Sequence, residues 1–247
     1  MKIAVISDIH ANFEALQRVM ARIDTLSVDA IWCLGDIAGY GPHPNACIDL
    51  IRERADVCLV GNHDLAILGR IDIERFNPIA KEAILWHRQH IDARHKEWLQ
   101  TLSPKVELAE VTLAHASPRH PVWEYVNDKK VAKENYHEFN TPICLIGHSH
   151  YALAWQLRPR GRRVHATLHV PESGQTLLLT PEDKWMLNPG SVGQPRDHDP
   201  RSSFAILDTQ ARIWAWQRVE YDYKKVAQDI LAAGLPEILG QRLHYGQ

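Results

Sequence analysis

The sequence predicts an α/β protein in which apolar strands alternate with amphipathic helices. The first apolar stretch, Ile3 to Ile6, is continuous and rich in β-branched residues, as in a strand buried on both faces. Apolar residues then recur at helical spacing from Phe13 to Ile23, directly after Asn12, a favoured residue type at a helix N-terminus. Strands that alternate with helices indicate a largely parallel sheet with helices packed on it.

The same unit repeats along the first half of the chain. Ala30 to Leu34 reads as a second buried strand, and a helix is predicted from Pro44, a favoured first-turn residue, to Arg54. Val57 to Val60 is the third predicted strand. Apolar spacing from Asn77 to Gln100 predicts two helices with a break near Ile91.

The second half of the chain has a different sequence pattern, which predicts many short strands joined by turns. We expect a second, mostly antiparallel or mixed sheet stacked on the first, and two terminal helices over about residues 222–247, with all 247 residues in one domain. The predicted strands are Lys105 to Leu108, Val111 to Ala114, Ile143 to Ile146, Tyr151 to Leu157, Arg163 to Val170, Thr176 to Leu179, Lys184 to Leu187, Ser203 to Asp208 and Ala211 to Val219.

Composition is that of an ordinary soluble globular protein, with 45% hydrophobic and 23% charged residues. A net charge of -2 without a basic stripe makes nucleic acid an unlikely partner. The four cysteines contain no C-x-x-C pair, which indicates free thiols in a reducing compartment. No signal-peptide core and no membrane-length apolar segment stand out, so we expect a cytoplasmic protein with no membrane association.

Side chains that ligate metals follow apolar stretches at five places in the chain. Loops leaving the carboxyl ends of strands converge at one edge of an open α/β sheet, so we expect these side chains to meet there. Within the pairs, a spacing of two in an extended segment points both side chains the same way. The five places are Asp8 with His10, Asp36, Asn62 to Asp64, His115, and His148 with His150.

Oxygen and imidazole groups are too numerous here for one ion that also keeps a water, so two ions are predicted, with Asp36 well suited to bridge them. The set lacks a thiolate, which favours Mn, Fe, Co, Ni or Zn. Two such ions about 4 Å apart suit hydrolysis of a phosphate ester. The candidate ligands are Asp8, His10, Asp36, Asn62, His115, His148 and His150.

Taken in order, these motifs resemble the full motif set of the calcineurin-like metallophosphoesterase superfamily. The stretch from Asn188 to Arg196 is similar to the corresponding loop in its small bacterial and archaeal YfcE-like members. The resemblance implies a four-layer αββα sandwich of two mixed β-sheets flanked by helices. Gly35-Asp36 is not followed by the Asp-Arg-Gly of the phosphoprotein phosphatases, which argues against a protein Ser/Thr phosphatase.

The resemblance also implies roles for single residues. His63 matches a non-ligand histidine that contacts phosphate and assists the leaving oxygen, and Asp64, where many members have Glu, would orient it. The expected reaction is hydrolysis of a small phosphomonoester or phosphodiester by a metal-bridging hydroxide. One ion is implied on Asp8, His10, Asp36 and His150, and the other on Asp36, Asn62, His115 and His148.

Several alternatives stay open from the sequence. A non-catalytic protein-interaction scaffold on the same fold is the main rival, and the lack of a basic groove argues against a nuclease. The native metal and the oligomeric state are undetermined. The substrate is also open among cyclic nucleotides, dinucleoside polyphosphates, sugar phosphates and phospholipid fragments.

Five residues near the motifs have two interpretations each. Trp123 and Tyr125 form either an aromatic wall beside the metals or, as we slightly prefer, a cover for the sheet. Arg196 either binds substrate phosphate or, as we expect, is an exposed loop arginine. Tyr40 and His43 follow Asp36 closely, and a place at the rim of the site is open for both. Most of the ten remaining histidines are expected to be surface or partly buried residues without a chemical role, among them His87, His90, His95, His165, His169 and His198.

Overall fold

A computed structural model of the chain describes residues 1–172 and 174–247. Its architecture confirms the expected α/β fold, with two mixed six-stranded sheets flanked by helices. Strand order is β3-β2-β1-β11-β12-β9 in the first sheet and β4-β5-β6-β10-β7-β8 in the second. The strands are β1 (Lys2–Ile6), β2 (Ala30–Cys33), β3 (Val57–Cys58), β4 (Lys105–Glu107), β5 (Val111–Ala114), β6 (Ile143–Ile146), β7 (Ala152–Arg160), β8 (Arg163–His169), β9 (Thr176–Leu178), β10 (Lys184–Pro189), β11 (Ser202–Asp208) and β12 (Ile213–Val219).

The helices follow the predicted pattern closely in the first half of the chain. Asn12 caps the first helix by accepting a hydrogen bond from the Ala15 N–H at 3.1 Å, and Pro44 is the first residue of the second. The predicted break at Ile91 separates the fourth helix from the fifth. The helices are α1 (Phe13–Ile23), α2 (Pro44–Arg54), α3 (Asn62–Ile67), α4 (Pro78–His90), α5 (Ala93–Gln100), α6 (Lys129–Glu134), α7 (Tyr223–Ala232) and α8 (Glu237–Tyr245), with one 3-10 turn at Ile73–Arg75.

Side chains along β1 alternate between the two faces of the first sheet, and this alternation shows how the layers pack. Ile3 and Val5 point between the two sheets, where they pack with apolar side chains of both, while Ala4 and Ile6 face the helices on the outer side. A third apolar cluster lies between the outer face of the second sheet and the region of α6. The order of layers is therefore helix, sheet, sheet, helix, as the resemblance implied.

Two expectations about the fold were wrong in detail. The late strands β9, β11 and β12 do not join the second sheet but extend the first, because β11 pairs antiparallel with β1, for example Ile3 with Leu207. The short helices α3 and α6, six residues each, were not predicted. Six residues make fewer than two helical turns, which is too little for an apolar period to show.

Parallel pairing places five ligand loops at one end of the two sheets. β1, β2 and β3 run parallel in the first sheet, and β5, β6 and β10 run parallel in the second. Their carboxyl ends meet where the sheets face one another. Among the helices of the described residues, none combines the length and the apolar character needed to cross a membrane.

Candidate metal centre

The structure brings all seven predicted ligand side chains together, and each is at most 4% exposed. Three-residue groups within this set, such as Asp8 with His10 and His150, have their ligand atoms within 4.8 Å of one another. Asp36 lies in the middle, because its Oδ2 atom is 3.7 Å from Nε2 of His10 and 3.5 Å from Nε2 of His115. This central position is the one expected of a carboxylate shared by two ions.

Hydrogen bonds to backbone carbonyls fix the orientation of two imidazoles. The Nδ1 atom of His115 is 2.8 Å from the Leu34 carbonyl oxygen, and that of His150 is 2.6 Å from the Gln194 carbonyl oxygen. In each ring Nδ1 therefore donates to the carbonyl oxygen and Nε2 points into the cluster, where it presents a lone pair whenever the ring is neutral. Such backbone anchoring is typical of histidines that ligate metals.

Nitrogen and oxygen atoms of the candidate ligands face one another at short distances in the cluster. Nε2 of His115 is 3.0 Å from Oδ1 of Asn62, and Nε2 of His150 is 3.0 Å from Nε2 of His10 and 3.5 Å from Oδ1 of Asp8. Acceptor atoms this close repel each other unless a proton or a metal ion lies between them. The donor set, with imidazole nitrogen, carboxylate and amide oxygen, fits two borderline or hard divalent ions.

The pKa shifts agree with this interpretation. Burial alone would raise the pKa of Asp36, but the neighbouring imidazoles, His115 first, outweigh it and lower it to about 2. Burial lowers the pKa of His148 to about 3. Burial also acts to lower the pKa of His115, but the negative charge of Asp36 outweighs burial and raises this pKa to about 9. The His115 ring therefore carries a positive charge near pH 7. The ionised Asp36 carboxylate and the neutral His148 ring are in the protonation states that metal binding requires, whereas His115 would release a proton when an ion binds.

The backbone conformation at the ligands differs from the extended one assumed from the spacing of two. Asp8 and His10 have φ values of 53° and 50°, and His148 and His150 have 64° and 62°. Asp36, at 51°, is also left-handed. The two members of each pair converge because the chain turns back at each strand end. The Asp8 N–H donates to the Gly35 carbonyl oxygen at 3.1 Å, so the first two ligand loops are also bonded to each other.

Two glycines are required by close approach to the ligands. A Cβ atom at Gly61 would lie 2.0 Å from Oδ1 of Asp36, and one at Gly39 would lie 2.7 Å from Nδ1 of His63. Gly39 also has a φ of 105°, which favours glycine. The contact at Gly61 explains why Gly-Asn-His-Asp begins with the smallest residue, and the contact at Gly39 explains the glycine in the loop after Asp36.

His63 lies beside the ligand cluster, 4% exposed, with a ring centroid 4.9 Å from that of His10. Its ring is flanked by Tyr40 at 4.4 Å and Phe76 at 5.1 Å. The Nδ1 atom has no hydrogen-bond partner among the described residues. Burial lowers the pKa of His63 to about 4, so the ring is neutral near pH 7.

A cavity of about 230 Å³ opens above the cluster. Trp123 and Tyr125 form part of its wall, contrary to the preferred expectation that they only cover the sheet. Arg196 is half-buried there, so the expectation of an exposed loop arginine was wrong. Tyr40 also lies on this wall, whereas His43 pairs with Asp229 at 3.4 Å. The lining comprises Asp36, Tyr40, Asn62, His63, Arg75, Phe76, Asn77, Ala80, Trp123, Tyr125, His148, His150, Arg196 and Arg242.

With this geometry in place, comparison with known proteins gives the family. A model described as the calcineurin-like phosphoesterase superfamily domain matches residues 1–212. The chain belongs to this superfamily. Membership supports hydrolase activity, and the His and Asp groups described above are its candidate metal sites.

Three similar proteins illustrate the membership. An uncharacterised protein of Methanocaldococcus jannaschii is 38% identical over 99% of this chain and 98% of its own length. The crystal structure of a metallophosphoesterase from Sphaerobacter thermophilus is 40% identical, covers 100% of this chain and 99% of its own, and has a TM-score of 0.87. A symmetrical bis(5'-nucleosyl)-tetraphosphatase of Haemophilus ducreyi is 28% identical over 53% of this chain and 50% of its own length.

In this phosphoesterase domain the Asp64 carboxylate binds backbone groups and, among the described residues, makes no hydrogen bond to the His63 ring, so its implied role in orienting His63 stays a prediction. Its carboxylate accepts backbone N–H groups of Ile37 at 3.2 Å, Ala38 at 3.0 Å and Gly61 at 3.0 Å. Asp is shorter than the Glu of many members, and at the first turn of α3 it reaches the backbone instead of the imidazole. Asp64 thus ties the loop after Asp36 to the start of α3.

The loop after β10 supports the ligand loops and was only partly anticipated. Asn188 donates from Nδ2 to the Gly147 carbonyl oxygen at 2.9 Å, and Ser191 donates from Oγ to the Asp8 carbonyl oxygen at 2.7 Å. The sequence identified this stretch by resemblance alone. No local pattern shows which of its residues contact the ligand loops.

Most of the ten remaining histidines are exposed or partly buried, as expected, and two, His87 and His95, are buried. His95 on α5 lies 2.8 Å from Oδ1 of Asn45 and 2.8 Å from Oδ1 of Asp49, so it joins α5 to α2. His87 on α4 is fully buried, and neither ring nitrogen has a hydrogen-bond partner among the described residues.

Proposed function

We propose that the protein is a metal-dependent phosphoesterase that hydrolyses phosphomonoesters or phosphodiesters at a centre of two divalent ions. The observation that carries this proposal is the set of buried acceptor atoms that face one another around Asp36 and open into a cavity. Superfamily membership supports the same class of reaction.

Each ion would have four protein ligands, with Asp36 shared between them. When bound, the ions would supply positive charge for phosphoryl oxygens and a nucleophile at neutral pH. The proposed sets are Asp8, His10, Asp36 and His150 for one ion, and Asp36, Asn62, His115 and His148 for the other.

His63 is proposed to act on the substrate and not on the ions. It lies on the cavity wall, and its ring is held by Tyr40 and Phe76. A neutral imidazole in this position can donate a hydrogen bond to the leaving oxygen, which stabilises charge that develops there. Phe76 and Trp123 pack with their ring centroids 4.9 Å apart on this side of the cavity.

Metal add-back tests the proposal. Protein stripped with a chelator should lose hydrolysis of p-nitrophenyl phosphate and bis-p-nitrophenyl phosphate, and Mn²⁺, Co²⁺, Ni²⁺, Zn²⁺ or Fe²⁺ should restore it for at least one ester. Asp36→Asn should lower both bound metal and turnover, because Asp36 contacts both ligand sets. Full activity after complete metal removal would contradict the proposal, and absence of hydrolysis with every ion would favour the non-catalytic scaffold.

Hydrolysis of a dinucleoside polyphosphate is a second candidate. It is favoured by the partial similarity to symmetrical bis(5'-nucleosyl)-tetraphosphatases and by the three arginines on the cavity wall, Arg75, Arg196 and Arg242. Chromatography of products from diadenosine tetraphosphate tests it directly. Release of adenosine diphosphate faster than p-nitrophenol from either model ester would make it the preferred activity.

The cytoplasmic location and the small phosphate-ester substrate remain parts of this proposal. A substrate of this size is consistent with a cavity of about 230 Å³, which is below the usual range for drug-sized ligands of roughly 300–1,000 Å³.

A further inference from the structure

Two arginines from distant parts of the chain meet on the wall of the same cavity. Arg196 follows β10 in the loop that supports the ligands, and Arg242 lies on the terminal helix α8. Both are half-buried and both face the space that Asp36 and His63 also line. The charge on this part of the wall is therefore positive.

The carboxylates closest in sequence do not neutralise this charge. Asp197 pairs with Arg218, and Asp199 pairs with Arg201. In the described part of the chain neither Arg196 nor Arg242 pairs with an Asp or Glu side chain, although most buried charges have an opposite charge beside them.

The hydrogen bonds of the two guanidinium groups leave donors unused. Arg196 donates from Nη2 to Oε1 of Gln194 at 2.9 Å, while its buried Nε has no partner. Arg242 donates from Nε to the Gln247 carbonyl oxygen at 3.0 Å, which holds the side chain against the end of α8. Each group therefore retains N–H donors for an acceptor that the described residues do not provide.

The two charges also influence each other. Burial lowers the pKa of Arg242, and the charge of Arg196 lowers it further. Like charges in a partly desolvated place cost free energy, and a bound anion removes that cost. Guanidinium groups are well suited to phosphate because they bind its oxygens in pairs.

The position relative to the metal centre indicates which anion is bound. The Arg196 guanidinium carbon lies 5.9 Å from the Tyr40 ring centroid, and the Tyr40 ring lies 4.4 Å from that of His63. Arg196 is thus about one aromatic ring away from the group proposed to contact the scissile phosphate, and Arg242 lines the same cavity. This separation suits a second phosphate carried by the same molecule.

We propose that Arg196 and Arg242 form a second anion subsite, which selects phosphate esters or anhydrides that carry a second phosphate group. The inference rests on the proposed function, because the first phosphate is placed at the two-ion centre. Nucleoside polyphosphates and sugar bisphosphates belong to the selected class, whereas monoesters and diesters that contain a single phosphate group do not.

Binding of two matched phosphonates to Mn²⁺-loaded protein tests the subsite by calorimetry. Methylphosphonate carries one phosphonate group and methylenediphosphonate carries two, and neither is a substrate for hydrolysis. We expect the unsubstituted protein to bind the second more tightly. Arg242→Gln and Arg196→Gln should each weaken methylenediphosphonate binding by about tenfold, with a clearly smaller effect on methylphosphonate.

A matched control removes the same charge elsewhere. Arg18→Gln, on the exposed face of α1, should leave the ratio of the two affinities as it is. Two independent arginine variants guard against misfolding of one, and circular dichroism checks that each is folded. The diphosphonate also chelates Mn²⁺ in solution. This effect is the same for every variant, so it cancels when the variants are compared with the unsubstituted protein.

The outcomes separate this inference from the proposed function. Loss of the diphosphonate preference in both variants supports the subsite. A preference that persists in both, or equal binding of the two phosphonates by the unsubstituted protein, overturns it even when p-nitrophenyl phosphate is hydrolysed. Failure to hydrolyse any ester with any metal overturns the proposed function, and the ratio of affinities then still decides whether the arginines bind a second anion.

Discussion

Replacement of Asp64 by alanine removes the acceptor of three buried backbone hydrogen bonds at once, those from Ile37, Ala38 and Gly61. Each donor left without a partner costs about 1–3 kcal/mol, so we expect a loss of about 3–6 kcal/mol after some relaxation. Folding free energies are typically about 5–15 kcal/mol, so this single change removes a large part of the total.

Urea unfolding followed by circular dichroism measures the loss, and bound Mn²⁺ is measured in the same samples. We expect Asp64→Ala to lower both stability and metal content, since the loops it joins carry Asp36 and Asn62. His63→Ala is the matched comparison from the adjacent position. It should keep its metal and most of its stability but lose turnover by about 100-fold, as for removal of a general acid or hydrogen-bond donor.

The opposite pattern would refute this interpretation of Asp64. If Asp64→Ala unfolds at the same urea concentration as the unsubstituted protein, keeps its metal and loses turnover alone, then Asp64 acts through His63. Asp64→Asn gives an intermediate case, because its amide keeps one acceptor oxygen and turns a donor toward the backbone N–H groups. It should fall between alanine and the unsubstituted protein in stability.

Three further predictions follow from the site and its surroundings. Gly61→Ala should displace Asp36 and lower metal content measured by atomic absorption, since its Cβ would lie 2.0 Å from Oδ1; full occupancy would contradict this. Ser191→Ala should weaken metal affinity about tenfold in competition with a chelating dye, because it frees the carbonyl oxygen of Asp8; unchanged affinity would be the contrary result. Burial lowers the pKa of His87 to about 3, so the unfolded chain takes up a proton below about pH 6.5 that the folded chain does not, and stability falls as pH falls between these values. His87→Phe should reduce the slope of unfolding free energy against pH in this range by up to about 1.4 kcal/mol per pH unit. Equal slopes for the two proteins in urea titrations would refute the lowered pKa of His87.

Sequence reasoning worked best where ligand chemistry and strand ends coincide. Asp8, Asp36 and His115 each follow a short apolar run directly, so the strand and the ligand were found together. Helix starts at Asn12 and Pro44 were also correct, because capping depends on residues only a few positions apart.

Features that depend on distant contacts were missed. The pairing of β11 with β1 joins residues about 200 positions apart, and no local pattern distinguishes it from a strand of the other sheet. Arg242 enters the cavity from the last helix, where its sequence context is that of an ordinary helix surface. Asp64 was assigned to its neighbour by analogy, whereas its partners are backbone groups up to 27 residues away.

The left-handed backbone at the ligands has a consequence for which residues can occur at these positions. Asp, Asn and His enter this conformation several times more readily than other residues with side chains, and β-branched residues do so with most difficulty. The same three types supply the carboxylate, amide and imidazole donors of the cluster. The main-chain conformation therefore limits which residue types the fold tolerates at five positions, even without bound metal. These positions are Asp8, His10, Asp36, His148 and His150. Substitution by valine or threonine would be penalised even in the metal-free protein, whereas exchange among Asp, Asn and His would keep the backbone conformation and change the binding of metal.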